Sequence, residues 1–196
     1  TVIGKKPSDW DVSTSAKPED MLELFEKTIP TGIHYGTVTV IIDKQSVEVT
    51  TFRLDGEYKD GRKPDSVVFV SDIIQDLSRR DFTMNAMAMG PDGEVIDPYG
   101  GRRDISLRII RCVGDPDVRF SEDALRMLRA LRFAAVLNFD IHADILKSIE
   151  KLAPLAEQLS PERVRDELEK VLMSRKPELA EDMINYRLLS RYILPG

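Results

Sequence analysis

Apolar and polar residues alternate in the first third of the chain, and the later half switches to helical spacing. Met21, Leu22 and Phe25 fall on one face of a short amphipathic helix predicted over Lys17–Lys27, with Pro18 in its first turn. Gly36–Ile42 and Ser46–Arg53 are rich in β-branched residues and flank Asp43-Lys44-Gln45, which predicts a hairpin. Leu54–Ser66 (LDGEYKDGRKPDS) is polar and carries Gly and Pro, the pattern of a mobile loop. A helix is expected over Ser71–Ser78, and Ala86–Asp97 reads as a second hairpin around Pro91-Asp92-Gly93. Beyond about Gly101 the period changes. Leu125, Leu128, Leu131 and Ala135 predict a helix over Ser121–Leu137 capped by Ser121. Ser160-Pro161-Glu162 starts another, running through Val164, Leu168, Val171 and Leu172. The expected fold class is α+β, with a mixed sheet-and-helix head over residues 1–112 and an all-α neck over 113–196.

Composition narrows the function. The chain has 196 residues, 42% of them apolar and 32% charged, which reads as globular. No stretch approaches the ~20 apolar residues of a membrane span, and no secretory signal pattern is present. A single cysteine, Cys112, rules out an internal disulfide and fits a reducing, cytoplasmic setting. A net charge of −6 argues against a passive nucleic-acid binder. Charge is nevertheless uneven, because residues 102–132 hold eight arginines against five carboxylates. A local grip on phosphate remains compatible with that.

Ser8-Asp9-Trp10-Asp11-Val12 has β character, so Asp9 and Asp11 project from the same face of a strand. Two carboxylates crowded on one face repel unless a cation lies between them, and hard ions such as Mg²⁺ prefer oxygen donors. The alternative is a solvated Asp-x-Asp loop. Trp10 points the other way and is expected in the core. Glu48 alternates with Val47 and Val49, so it either supplies a third catalytic carboxylate or forms the polar face of an amphipathic strand.

Arg79, Arg80, Asp81 and Asn85 lie in a largely apolar stretch, Arg79-Arg-Asp-Phe-Thr-Met-Asn-Ala-Met-Ala88. Charges held close to a core need partners, and phosphate or ribose oxygens are suitable ones. Asp123 and Arg126, three residues apart at an expected helix start, share one helical face, either as a functional pair or as a surface salt bridge. Arg129 and Arg132 continue the stripe, as phosphate or RNA contacts or as neck salt bridges. His34 and His142 stand outside any ligand cluster, and Cys112 reads as a buried strand residue.

Together these segments resemble the class II tRNA nucleotidyltransferases, the CCA-adding enzymes, and the related bacterial poly(A) polymerases. The resemblance rests on Asp9-x-Asp11, Glu48-Val-Thr-Thr-Phe-Arg53, Arg79-Arg-Asp-Phe-Thr-Met-Asn85, Asp97-Pro-Tyr-Gly-Gly101, Glu122-Asp-Ala-Leu-Arg126 and Ser160-Pro-Glu-Arg163, in the family's order. It implies a polymerase-β-like head followed by a helical neck that selects the nucleotide. It implies metal ligation by Asp9 and Asp11 through a two-metal Mg²⁺ site, ribose and triphosphate contacts by Arg79, Arg80, Asp81 and Asn85, and base selection by Asp123 and Arg126. The last role has a chemical basis. Cytosine and adenine each offer an exocyclic amine donor beside a ring-nitrogen acceptor, which complements a carboxylate and a guanidinium; uracil and guanine offer the reverse.

The implied activity is addition of CMP and AMP to tRNA 3′ ends from CTP and ATP, with tRNA as partner and no membrane. Gly32-Ile-His-Tyr-Gly-Thr37 departs from the element typical of poly(A) polymerases, while the intact Asp55–Pro64 loop favours an enzyme able to add the terminal A. In the family that loop re-forms the site as specificity switches from C to A. A poly(A) polymerase, an A-adding specialist and a non-catalytic RNA- or nucleotide-binding module remain the alternatives. An Asp-x-Asp glycosyltransferase would leave the Arg79 and Asp123 segments unexplained. The family's Gly-Gly-x-Val-Arg-Asp segment is not found ahead of Asp9, and its C-terminal body and tail are not found after Gly196. The sequence therefore reads as a piece of a longer protein, and activity is not expected of it alone.

Overall fold

A computed structural model describes residues 10–56 and 65–193. Asp9 and most of the Asp55–Pro64 loop lie outside the described residues. The described chain divides into two compact units, residues 10–56 with 65–79, and residues 80–193.

The first unit contains β1 (Asp11–Thr14), α1 (Pro18–Leu24), β2 (Thr28–Gly32), β3 (Thr37–Ile42), β4 (Gln45–Thr51), β5 (Arg53–Asp55), β6 (Val67–Phe69) and α2 (Ile73–Ser78). Four strands form a mixed sheet in the order β1-β4-β3-β2, with β1 parallel to β4 and the other pairs antiparallel. The predicted hairpin is β3–β4. It turns at Asp43 and Lys44, both with positive φ, and Ile42 faces Gln45 across it. Val38, Val40 and Val49 bury one face of the sheet with Met21 of α1. Strand β2 escapes the sequence pattern because TIPTG contains Pro and Gly. It is tolerated as a bulged edge strand, where a missing N–H costs little. Trp10 is 60% exposed rather than core, a correction that follows from β1 being the opposite edge of the sheet.

The second unit contains β7 (Ala88–Met89), β8 (Val95–Ile96), α3 (Gly101–Leu107), β9 (Ile109–Ile110), α4 (Pro116–Glu122), α5 (Leu125–Leu137), β10 (Asp140–Ile141), α6 (Ala143–Leu152), α7 (Pro161–Leu172), α8 (Leu179–Asn185) and α9 (Ser190–Ile193). The predicted second hairpin is β7–β8. Leu125, Leu128, Leu131 and Ala135 are all buried on α5, which packs against α7 and α8. Its core continues through Ile145, Ile149, Val164, Val171 and Met183. Two expectations are corrected. The helical half also contains β10, paired in parallel with β9. The helix read from Ser121 is two helices, because Asp115 caps and Pro116 opens α4, which stops at Glu122. Ser121 is no cap; its hydroxyl donates to the Asp117 carbonyl within α4.

Candidate functional site

In the first unit, Asp11 sits on β1 directly across from Glu48 on β4, and Glu48 faces Thr39 on β3. Residues in register across a sheet project from the same face, so Asp11 and Glu48 are neighbours there. Both are exposed. Hydroxyls line the remainder of that face, with Thr37 bonded to Thr50 (3.1 Å) and Thr39 to Thr31 (3.0 Å). Two adjacent carboxylates open to solvent form an oxygen donor set that suits a hard divalent cation. Among the described residues no group of three metal-ligating side chains is gathered, and Asp9 is not among those residues.

Arg79 ends α2. Its Nε and Nη2 donate to Asp76 Oδ1 at 3.0 and 2.8 Å, and Nη1 lies 3.6 Å from Asp55 Oδ2. Asp55 also lies 3.3 Å from Arg53 Nε, and the Arg53 guanidinium donates to the Tyr35 carbonyl. Periodicity carries no signal for this cluster.

In the second unit, residues 81–83 run antiparallel to 111–113. Thr83 N–H donates to the Arg111 carbonyl and Val113 N–H to the Asp81 carbonyl. Asp81 is buried and holds several donors together. Its Oδ1 accepts from Phe82 N (2.8 Å) and Asn85 Nδ2 (3.0 Å), and its Oδ2 accepts from Arg129 Nε (2.8 Å). Arg80, just before it, is half-buried. The Asp97-Pro-Tyr-Gly-Gly101 segment supports this region. Asp97 accepts from the Gly101 and Arg102 amides at the start of α3, while Asp104 of α3 accepts from the Thr83 hydroxyl at 2.7 Å. A Cβ on Gly101 would stand 2.3 Å from the Thr83 carbonyl oxygen, so only glycine permits the approach. Burial and the nearby Asp81 carboxylate push the Cys112 thiol up to about 12.

Asp123 lies in the break between α4 and α5 with extended backbone. Its Oδ1 accepts from Leu125 N (3.0 Å) and its Oδ2 from Arg163 Nη2 of α7 (2.8 Å). Arg126 is buried, with Nη1 donating to Glu122 Oε2 (2.6 Å) and to the Arg119 carbonyl (3.2 Å). The two groups thus leave a loop and a helix start, not one continuous helical face. Arg132 donates to buried Glu167 of α7 and lies 3.7 Å over the Phe133 ring, and Arg129 pairs with Asp81. For Arg129 and Arg132 this is the salt-bridge geometry of the two alternatives. His142 caps α6 and His34 packs edge-on to Tyr35. Sequence reasoning missed Asp104, Glu167 and the pairing of Arg163 with Asp123. The Ser160-Pro-Glu-Arg163 motif was the available signal for the last.

Two family models match the chain in succession. Residues 1–111 match the family model described as the poly A polymerase head domain. Residues 138–196 match the model described as the probable RNA and SrmB-binding site of polymerase A. The chain is 47% identical over 195 residues to a CCA-adding enzyme of Geobacillus thermodenitrificans, covering 100% of this chain and 48% of that protein. It is 50% identical over 171 residues to the CCA-adding enzyme of Geobacillus stearothermophilus, covering 87% and 42%. Among solved structures, the Bacillus stearothermophilus CCA-adding enzyme in complex with CTP superposes with a TM-score of 0.83 at 44% identity, covering 96% of this chain and 44% of that one. A tRNA nucleotidyltransferase complexed with a primer tRNA and an incoming ATP analog gives 0.77 at 30% identity, covering 98% and 56%. The chain spans about half the length of the curated relatives it matches.

Proposed function

Because the chain belongs to the poly(A) polymerase head-domain family that includes the class II tRNA nucleotidyltransferases, with a polymerase-β-like head, we propose that this protein adds CMP and AMP to tRNA 3′ ends without a nucleic-acid template. The observation that carries the proposal is the 47% identity to a CCA-adding enzyme over 195 residues, which takes in both units. In this reading residues 1–112 serve as the transferase head and 113–196 as the neck that selects the nucleotide.

The primer's terminal 3′-hydroxyl attacks the α-phosphorus of CTP or ATP, a new phosphodiester forms, and pyrophosphate leaves. Asp11 would hold Mg²⁺ together with Asp9, with Glu48 beside Asp11 in register as a third carboxylate. A pair of such ions bound there would lower the pKa of the attacking hydroxyl and offset charge on the pyrophosphate. Arg80, Asp81 and Asn85 take the ribose and triphosphate. Asp81 orients the Asn85 amide through Oδ1 while Arg129 holds Oδ2, so the amide reaches the nucleotide preset. Asp123 accepts from the exocyclic amine of C or A while Arg126 donates to the ring nitrogen. Arg163 holds the Asp123 carboxylate in place for that contact. A base presenting the reverse pattern leaves buried polar groups mispaired, which is heavily penalised.

The test is single-turnover incorporation by the full-length protein on tRNAs ending before C, before the second C and before A, with one nucleotide at a time and Mg²⁺. C on the first two and A on the third supports the proposal. Long ATP-only tails on non-tRNA primers would identify a poly(A) polymerase. A added only to tRNA ending in CC would identify an A-adding specialist, and ATP binding without incorporation a non-catalytic module.

A further inference from the structure

The four charged residues Arg53, Asp55, Asp76 and Arg79 form one nearly enclosed cluster in the first unit, their side chains only 16%, 8%, 2% and 16% exposed. Its geometry is that of a clamp on the short ladder β5–β6. Asp76 Oδ1 accepts from the backbone N–H of Arg53 on β5 (3.2 Å) and from Arg79 Nε and Nη2. Arg79 Nη1 reaches across to Asp55, the last residue of β5. The ladder itself closes with Asp55 opposite Val67 and with Gly56 N–H donating to the Ser66 carbonyl at 2.8 Å. The guanidinium therefore faces two carboxylates of its own unit, hydrogen-bonded to the one on α2 and 3.6 Å from the one on β5.

We propose that Arg79 is a positioning residue for the β5–β6 stem and makes no contact with the triphosphate, which falls to Arg80. Arg79 ends α2 in the αR conformation, its side chain turned back three residues onto Asp76, as helical spacing allows. Turning this guanidinium to a phosphate would take two charge-assisted hydrogen bonds from the buried Asp76 carboxylate and one of the cations beside Asp55. Arg79 thus ties the strand that enters the segment between Gly56 and Ser66 to the helix that delivers Arg80. The inference rests on the proposed function only for the identity of the triphosphate substrate.

Two readouts in the full-length protein test it. The first is the inhibition constant of inorganic tripolyphosphate against CTP incorporation, which senses phosphate grip alone. Arg79→Gln is expected to leave it within about twofold, whereas Arg80→Gln raises it about tenfold or more, as loss of one charge-assisted contact requires. The second is amide exchange at Gly56 and Val70, whose N–H groups bond to Ser66 and Phe52 across the stem. Arg79→Gln and Asp55→Asn each speed it about tenfold, the double variant no more than either alone, and Arg80→Gln leaves it unchanged. If Arg79→Gln does not fold, Arg79→Lys, which keeps the charge without the fork, is read in both assays with the same expectations. A tripolyphosphate constant raised tenfold at Arg79, or unchanged stem exchange, overturns the proposal. Should the unmodified protein incorporate no nucleotide, the proposed function fails, and the exchange experiment still decides whether the clamp exists.

Discussion

Replacing Arg132 by Met should destabilise the second unit by stranding a buried carboxylate on α7. The Arg132 side chain is 12% exposed and its partner Glu167 on α7 is 6% exposed. Removing the cation strands a buried carboxylate, which typically costs ~3–5 kcal/mol. Two features adjust that figure. Lys170 Nζ lies 3.9 Å from Glu167 but is 57% exposed, so it compensates only partly. The stack of Arg132 on Phe133 is lost as well, worth about 0.5–1 kcal/mol. A net loss of about 3 kcal/mol is expected, which moves a urea midpoint down by roughly 1–2 M. The double variant Arg132→Met/Glu167→Leu removes both charges and should return to within about 1 kcal/mol of the parent. The assay is urea unfolding followed by far-UV circular dichroism. Amide exchange on α5 and α7 would run alongside, because two units can unfold separately. A single-variant loss below about 1 kcal/mol, or strict additivity in the double variant, would falsify the claim that this buried pair ties α5 to α7.

Other consequences follow from exposure, burial and close approach. Asp11→Asn should lower single-turnover incorporation by about a thousandfold or more, and Glu48→Gln by about a hundredfold, each changing stability by under about 0.5 kcal/mol because both side chains are exposed. Wild-type rates in Glu48→Gln would return that residue to the polar face of an ordinary strand. Cys112 titrates near 9 when unfolded and at about 12 when folded, so its contribution to stability is intact below pH 9 and declines as pH rises toward 12. The decline approaches ~1.4 kcal/mol per pH unit, and Cys112→Ala should remove it from a plot of unfolding free energy between pH 9 and 10.5. An identical slope in the variant would contradict the assignment. Gly101→Ala should cost more than about 2 kcal/mol, since its Cβ would meet the Thr83 carbonyl oxygen at 2.3 Å. A thermal melt within a degree of the parent would count against that contact.

Much of this molecule is written in its local patterns. Period-two alternation located the β3–β4 hairpin and the face that Asp11 and Glu48 occupy, since successive strand residues must point to opposite sides. Period 3.6 identified the buried stripe of α5 for the same kind of reason. Such patterns say which way a residue points, not what stands opposite it. Parallel pairing of β1 with β4 decided that Asp11 and Glu48 are neighbours across 37 residues of chain. The place of β1 at the sheet edge decided that Trp10 is exposed, although its alternation pointed inward. Packing of α7 on α5 gave Arg163 and Glu167 to Asp123 and Arg132, turning an arginine-rich stripe into specific ion pairs. The same limit applies to Arg79. Sequence put it beside Arg80 in a phosphate-like motif, and only the fold turned its guanidinium toward Asp76 and Asp55. Periodicity is a property of the backbone's own geometry, whereas a charge's role depends on partners that distant segments bring within a few ångströms.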